Sequence, residues 1–346
     1  MKKVMKPTIK KVLLISHEMT YTGAPRSLLN MSSILREWKI LVEVWTLRPG
    51  EFEKEFRKVG IHVEKLNELT RERIEKFDLV ILNTFFTAYL VEFMQTSVRT
   101  ILYLREAQNI PQLALDCHLD INDIQKANEV VCVSEYAEKF LRKVCCPQKL
   151  TVIHNFVKDE YKGQLNVVRK NTIHFMISGT YEWRKGHDIV LNAFLNMPQE
   201  LKEITRLHIV GQKPEWAKSY WEQLEKLYDD RVIDHGEIAD EKERMQLYKK
   251  MNVFIIASRD ESCSLVALEG AMLGKALIMS QNVGAQYLDR RQRWVYPTED
   301  SGELCRKMCE LTSRKILMVC GIEMRWMYEK TSTKKMFRKS LKCVLE

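Results

Sequence analysis

The chain has no apolar run long enough to cross a bilayer. Its longest stretches, such as Val253-Phe254-Ile255-Ile256-Ala257, stop far short of the roughly 20 residues a spanning helix needs. A complete secretory h-region is also missing: lysines precede Val12-Leu13-Leu14-Ile15, but that run ends at Ser16-His17-Glu18. Both absences lead to the expectation of a cytoplasmic protein. The nine cysteines are odd in number, scattered, and nowhere set at zinc-ligand spacing. Cys305 and Cys309 lie one helical turn apart without a histidine pair nearby, so reduced thiols are expected rather than a disulfide framework or metal knuckle. No G-x-G-x-x-G follows the first strand pattern, which counts against a dinucleotide enzyme. No nucleophile elbow supports Ser-His-Asp hydrolysis either. A D-x-D metal motif is not found: Asp120-Ile121-Asn122-Asp123 falls in a helical pattern and reads as solvated carboxylates. Disorder and collagen-like repeats are excluded by 45% apolar and 29% charged residues.

What is present is charge at the ends. The chain of 346 residues carries a net +9. Lys2, Lys3, Lys6, Lys10 and Lys11 lie at one end, and Lys330, Lys334, Lys335, Arg338, Lys339 and Lys342 at the other, which leaves residues 12–329 close to neutral. A nucleic-acid channel spreads basic residues along a groove interleaved with aromatics, so no nucleic-acid partner is expected. A solvated basic tail and contact with an anionic membrane surface both account for such runs.

The length allows two domains. Short β-rich runs at Val12 to Ser16, Ile40 to Trp45, Phe77 to Leu82, Thr100 to Leu104 and Glu129 to Ser134 alternate with helical patterns. Arg26 to Trp38 is one of these patterns and Ser134 to Val144 another. Such alternation predicts a parallel sheet covered on both faces. Thr151-Val152-Ile153 closes the first domain, and Lys158 to Lys170 reads as a polar linker. The alternation resumes with Ile173 to Ser178, Leu207 to Val210, Val232 to His235, Val253 to Ala257 and Ala276 to Met279. We therefore expect an α/β protein with two Rossmann-like doubly wound domains, residues 1–160 and 170–329, facing a central cleft. Phe337, Leu341 and Leu345 form an apolar stripe, so a C-terminal helix within 330–346 is expected to return to the first domain.

Two segments carry the chemistry, each a strand, a loop and a helix start. In the first, Gly179 permits a close turn off its strand, Thr180 follows, and Arg184-Lys185 precede Gly186 at a helix start. A lysine there supplies the point charge a departing diphosphate needs. In the second, Glu261 stands in the loop before a helix starting near Ser264, and Glu269 lies about two turns in. The first amides of that helix, near Ser264 and Leu265, form an anion site. A carboxylate accepts from two vicinal hydroxyls, so Glu269 suits a ribose and Glu261 a transferred sugar. Solvated surface residues are the bland alternative for both glutamates.

These segments, with Leu207-His208-Ile209-Val210-Gly211 and Val152-Ile153-His154-Asn155, resemble a retaining glycosyltransferase of family four with the GT-B fold. The resemblance covers nearly the whole chain, and its C-terminal half, with the segment from Ser258 and the R-K-G loop, is the specific part. It implies that Glu261 approaches the donor sugar, Glu269 holds the ribose and Lys185 binds the diphosphate, with no metal and no cofactor. Three positions depart from the family pattern. Thr180 stands where many members carry arginine, which leaves Arg184 and Lys185 to neutralise phosphate. Arg105-Glu106 replaces a histidine followed by an acid, so that pair is the candidate for the reacting face or the acceptor. The loop after the first strand has one glycine, Gly23, where relatives often have two.

The resemblance implies transfer from a nucleotide-diphosphate sugar to a hydroxyl acceptor with retention at the anomeric carbon, in polysaccharide or glycolipid synthesis. A GT-B epimerase or hydrolase and a noncatalytic sugar-binding scaffold are the alternatives. Phe85, Phe86, Tyr89 and the helix from Arg26 offer apolar surface for a carbohydrate or lipid-linked acceptor, although such aromatics are more often core.

Overall fold

The computed structural model describes residues 9–163, 166, 168 and 171–346. Lys2, Lys3 and Lys6 of the basic leader, and Lys170 at the end of the polar stretch, lie outside the described residues. The chain divides into two compact units: residues up to Asn155 together with Lys335–Glu346, and Phe156–Lys334.

The first unit holds seven strands: β1 (Lys11–Glu18), β2 (Leu41–Arg48), β3 (Val63–Lys65), β4 (Leu79–Asn83), β5 (Arg99–Leu104), β6 (Glu129–Cys132) and β7 (Leu150–Val152). All pair in parallel in the order β3-β2-β1-β4-β5-β6-β7. The second unit holds β8 (Ile173–Ser178), β9 (Thr205–Val210), β10 (Val232–Asp234), β11 (Val253–Ile256), β12 (Ala276–Ser280) and β13 (Val295–Tyr296). These are parallel in the order β10-β9-β8-β11-β12-β13. Renumbered within each unit, the second sheet runs 3-2-1-4-5-6 and the first runs the same with a seventh strand added at its end, the doubly wound order whose ligand crevice lies where the strand order reverses.

Central strands are buried from end to end, as β4, β11 and β12 are, because helices cover both faces of a parallel sheet. The outermost β3 and β13 are too short and too mixed in composition for the sequence reading to separate them from loops.

Two expectations are corrected in detail. The polar stretch after residue 157 is not a free tether: Asp159 pairs with Arg325 at 2.8 Å, Glu160 with Lys249 at 3.2 Å, and Asn166 donates to the Asn252 carbonyl at 2.8 Å, all within the second unit. The C-terminal helix, Lys334–Leu345, buries Phe337, Leu341 and Val344 rather than Leu345. A three-four spacing follows the helical period better than two steps of four, so the buried face ends on Val344. This helix belongs to the first unit, where Arg99 donates to the Val344 carbonyl at 2.6 Å and Arg338 pairs with Glu37 at 2.6 Å.

Candidate functional site

In the second unit, adjacent β8 and β11 flank the point where strand order reverses. Each ends in a loop that opens a helix, His187–Leu195 after β8 and Leu265–Met272 after β11. Glycine brings the two loops together. Gly186 caps the first helix at φ +72°, and a Cβ there would stand 2.3 Å from the Ala257 carbonyl oxygen. Gly211 does the same behind the site, where a Cβ would meet the Gly179 carbonyl oxygen at 1.8 Å. No other residue type fits either close approach.

The loop pairing joins the predicted charges. Lys185 Nζ contacts the Glu261 carboxylate, Arg184 Nη1 lies 3.6 Å from the same oxygen, and Ser258 Oγ donates to it at 3.4 Å. Burial works to raise the Glu261 carboxyl, but Lys185 and Arg184 outweigh it and hold the group below the usual carboxylate range. Its backbone is pinned as well, with the Glu261 N–H donating to the Asn282 carbonyl at 3.0 Å and the Gly284 N–H donating to the Glu261 carbonyl at 2.7 Å. Gly179 lies beneath the Lys185 stem, where a Cβ would sit 3.4 Å from the lysine Cδ, and Thr180 follows it. Lysine and glutamate thus engage each other in this structure, so an incoming ligand would exchange partners with a neutralised pair.

Ser264 caps the second helix by accepting from the Ala267 N–H at 3.2 Å, next to the amides of Leu265 and Val266. Glu269 is 2% exposed on that helix, with Arg244 Nη2 4.0 Å from its Oε1. Neither glutamate is a solvated surface residue.

Residues that the sequence reading did not single out organise this loop. Arg259 is 8% exposed; it donates to Asp188 at 3.0 and 2.7 Å, pairs with Glu299, and also donates to the Trp183 carbonyl. Asp188 in turn accepts from the Tyr220 hydroxyl at 2.7 Å. In sequence, Arg259 and Glu299 look like ordinary solvated charges, and only their meeting reveals the clamp. His187 is buried and stacked on Tyr181 at 4.6 Å, and burial aided by Lys185 pushes its pKa down to about 4, so it is neutral at pH 7.

The first unit presents different chemistry at its equivalent edge. Arg105, just past β5, donates to Asn83 Oδ1 at 3.0 Å and to Asn155 Oδ1 at 2.6 Å, with its guanidinium over the Tyr103 ring. Glu106 turns inward: its Oε2 accepts the N–H groups of Phe85 and Arg105, each at 2.9 Å, and burial pushes its carboxyl up. Next to them is His17, at the end of β1, which the sequence reading passed over. Its Nδ1 lies 3.0 Å from Thr84 Oγ1, its Nε2 lies 3.5 Å from Glu18, and its ring stacks on Phe86 at 5.0 Å. Thr84 holds φ +89°, a costly backbone for a β-branched residue and a recurrent mark of functional sites. Gly23, expected to allow close backbone approach to the donor, is the first residue of the helix Gly23–Glu37 and holds no positive φ. Of the aromatics considered for an acceptor, Phe85 is core and Tyr89 is 47% exposed.

Two family models match the chain. Residues 8–106 match "Glycosyl-transferase family 4" and residues 171–314 match "Glycosyl transferases group 1". Together they span more than half of the chain, and it belongs to the GT-B glycosyltransferases of the family-four kind. Solved structures share its fold over nearly the whole length. HepE of Anabaena in complex with UDP and glucose has TM-score 0.83 at 16% identity, covering 98% of this chain and 99% of that one. Sucrose-phosphate synthase of Thermosynechococcus elongatus has 0.77 at 15%, covering 97% and 98%. WaaG, a glycosyltransferase involved in lipopolysaccharide biosynthesis, has 0.72 at 12%, covering 96% and 99%. No curated protein matches the chain by sequence.

Proposed function

We propose that this glycosyltransferase moves a sugar from a nucleotide-diphosphate donor to a hydroxyl acceptor with retention at the anomeric carbon. The observation that carries the reading is the meeting of Lys185, Arg184 and Glu261 beside the start of the helix that bears Glu269. A diphosphate placed there meets two cations and the first amides of a helix, and the two carboxylates flank it to accept hydroxyls. Gly179 and Thr180 leave room for its approach off β8. The solved HepE complexes with UDP and with UDP-glucose support a donor of this class.

Lys185, now held by Glu261, passes to the diphosphate when donor binds and stabilises the charge that develops as the sugar–phosphate bond breaks. Glu261, released from the lysine, accepts hydroxyls of the transferred sugar and favours the oxocarbenium-like centre. Glu269 accepts the ribose hydroxyls. These cations supply the charge compensation in a metal-independent step. The leaving phosphate takes the acceptor proton on the face it departs from, which gives retention. Arg105 and Glu106 in the first unit serve the reacting face or the acceptor, Glu106 by shaping the loop from beneath.

Calorimetric titration of UDP and UDP-glucose tests the donor half. Glu269→Ala should weaken binding by about tenfold or more, on the order of 1.4 kcal/mol. Unchanged affinity would remove Glu269 from the donor site. Formation of free sugar at a rate independent of any acceptor would point to a hydrolase instead.

We also propose a carbohydrate or lipid-linked acceptor in polysaccharide or glycolipid synthesis, met in the cytoplasm at an anionic membrane surface. Lys334, Lys335, Lys339 and Lys342 are exposed on the C-terminal helix, and lysines near such a surface contribute about 1 kcal/mol each. The protein should float with phosphatidylglycerol vesicles and not with phosphatidylcholine vesicles. Equal recovery from both would exclude the membrane contact.

A further inference from the structure

An exposed tryptophan on a protein surface means little by itself. Trp183 is different in being both 63% exposed and held in place. It opens the short turn Trp183–Lys185 that carries the two phosphate-facing cations. Its carbonyl accepts from Arg259 and from the Gly186 N–H at 3.2 Å. One face of its indole lies against the Arg259 guanidinium, whose Cζ is 4.2 Å from the ring centroid. That guanidinium is fixed in turn by Asp188 and Glu299. The arrangement is a flat aromatic plate clamped on one side by an arginine that also binds a carboxylate, Glu299, 57% exposed in its side chain.

From this we infer that Trp183 is a stacking platform for a pyranose ring of the acceptor, so that the acceptor is a saccharide and not a bare lipid or protein hydroxyl. The inference rests on the proposed transfer reaction and narrows its substrate. A pyranose has an apolar C–H face that matches an aromatic plane, and equatorial hydroxyls that reach sideways to carboxylates. An indole buries a large area at low entropic cost when its side chain is already immobile. Glu299, exposed and bound to the arginine under the plate, can accept hydroxyls with the oxygen lone pairs that Arg259 does not use. The plate sits on the same turn as Lys185, so a ring stacked on it stands next to the place proposed for the leaving diphosphate.

The test uses the full chain with indole-labelled tryptophan. The Trp183 indole N–H resonance is assigned by its loss in Trp183→Phe. Cellobiose, lactose and maltose are titrated with UDP present, with glycerol as a polyol lacking a ring face. At least one disaccharide should shift the Trp183 resonance saturably, glycerol should not, and Glu299→Gln should weaken that saccharide by about threefold or more. In transfer assays with that saccharide as acceptor, Trp183→Ala should raise the acceptor KM about tenfold and leave the donor KM within about twofold. A resonance that no saccharide moves overturns the inference, as does a rise in donor KM equal to that for acceptor. UDP binding is read from the same spectra through the other indoles and through calorimetry. A protein that binds UDP while Trp183 stays silent therefore refutes the platform alone, and one that binds no UDP refutes the donor reading.

Discussion

The two units wind their strands in the same order yet place different chemistry at the reversal point. In the second unit the ends of β8 and β11 are crowded with ions: Lys185, Arg184, Glu261, Asp188 and Arg259 meet within two loops. In the first unit the equivalent edge is built from His17, Asn83, Thr84, Arg105 and Asn155, joined mostly by neutral or singly charged hydrogen bonds. The contrast shows that topology supplies a crevice and leaves its chemistry to the loops. A dense ion cluster suits a diphosphate, which needs strong and opposite charge. A sparser amide and imidazole edge suits a partner recognised through hydroxyls.

Breaking the ion cluster should have the largest effect. Lys185→Ala should lower transfer by about a hundredfold or more, because it removes the cation proposed to meet the charge developing on the diphosphate. Arg105→Ala should cost distinctly less and act mainly on the acceptor KM. Steady-state kinetics on both variants checks the ranking, and equal losses in kcat would erase the distinction between the edges.

Acid should expose a second asymmetry. His187 in the second unit is buried neutral, with its pKa pushed down to about 4. His208, hydrogen-bonded to His174 at 2.8 Å and to His235 at 2.9 Å, is pushed down by burial and by these neighbours to about 3. A depressed histidine contributes stability that is complete above its unfolded value near 6.5 and is lost as pH falls toward the folded value. The second unit should therefore lose on the order of 3 kcal/mol between pH 6.5 and 4 through His187. Hydrogen exchange followed through this window would show its amides losing protection, and His187→Phe, which keeps an aromatic against Tyr181, should flatten the slope. An unchanged slope in that variant would clear His187 of the effect.

The smallest effect belongs to the surface. The Arg338–Glu37 pair, at 2.6 Å with both side chains about 40% exposed, ties the C-terminal helix to the first unit. Arg338→Ala should change stability by less than about 1 kcal/mol in urea unfolding. A larger loss would mean that this contact, rather than burial of Phe337, Leu341 and Val344, holds the helix.

The legibility of the two edges differed for a physical reason. Glu261, Ser264 and Glu269 lie within nine residues, and Arg184, Lys185 and Gly186 are consecutive, so each half of the proposed donor site is a local strand-loop-helix pattern. His17, Thr84 and Arg105 come from three separate strand ends and have no pattern along the chain. Arg259 was equally hidden, because its partners Asp188 and Glu299 lie 71 and 40 residues away. The short edge strands β3 and β13 were missed because two or three residues carry no measurable period.

By itself the sequence determined the fold class and the local strand-loop-helix pattern that starts Leu265–Met272 after its Ser264 cap. These depend on hydrophobic period, turn residues and capping, all of which act over a few neighbouring residues. Only the tertiary structure decided that Lys185 is held by Glu261, that Arg259 clamps Trp183 from beneath, and that His17 joins Thr84. Pairings between distant charges depend on which strand ends become neighbours and how closely glycine lets their loops approach, and no local pattern encodes that.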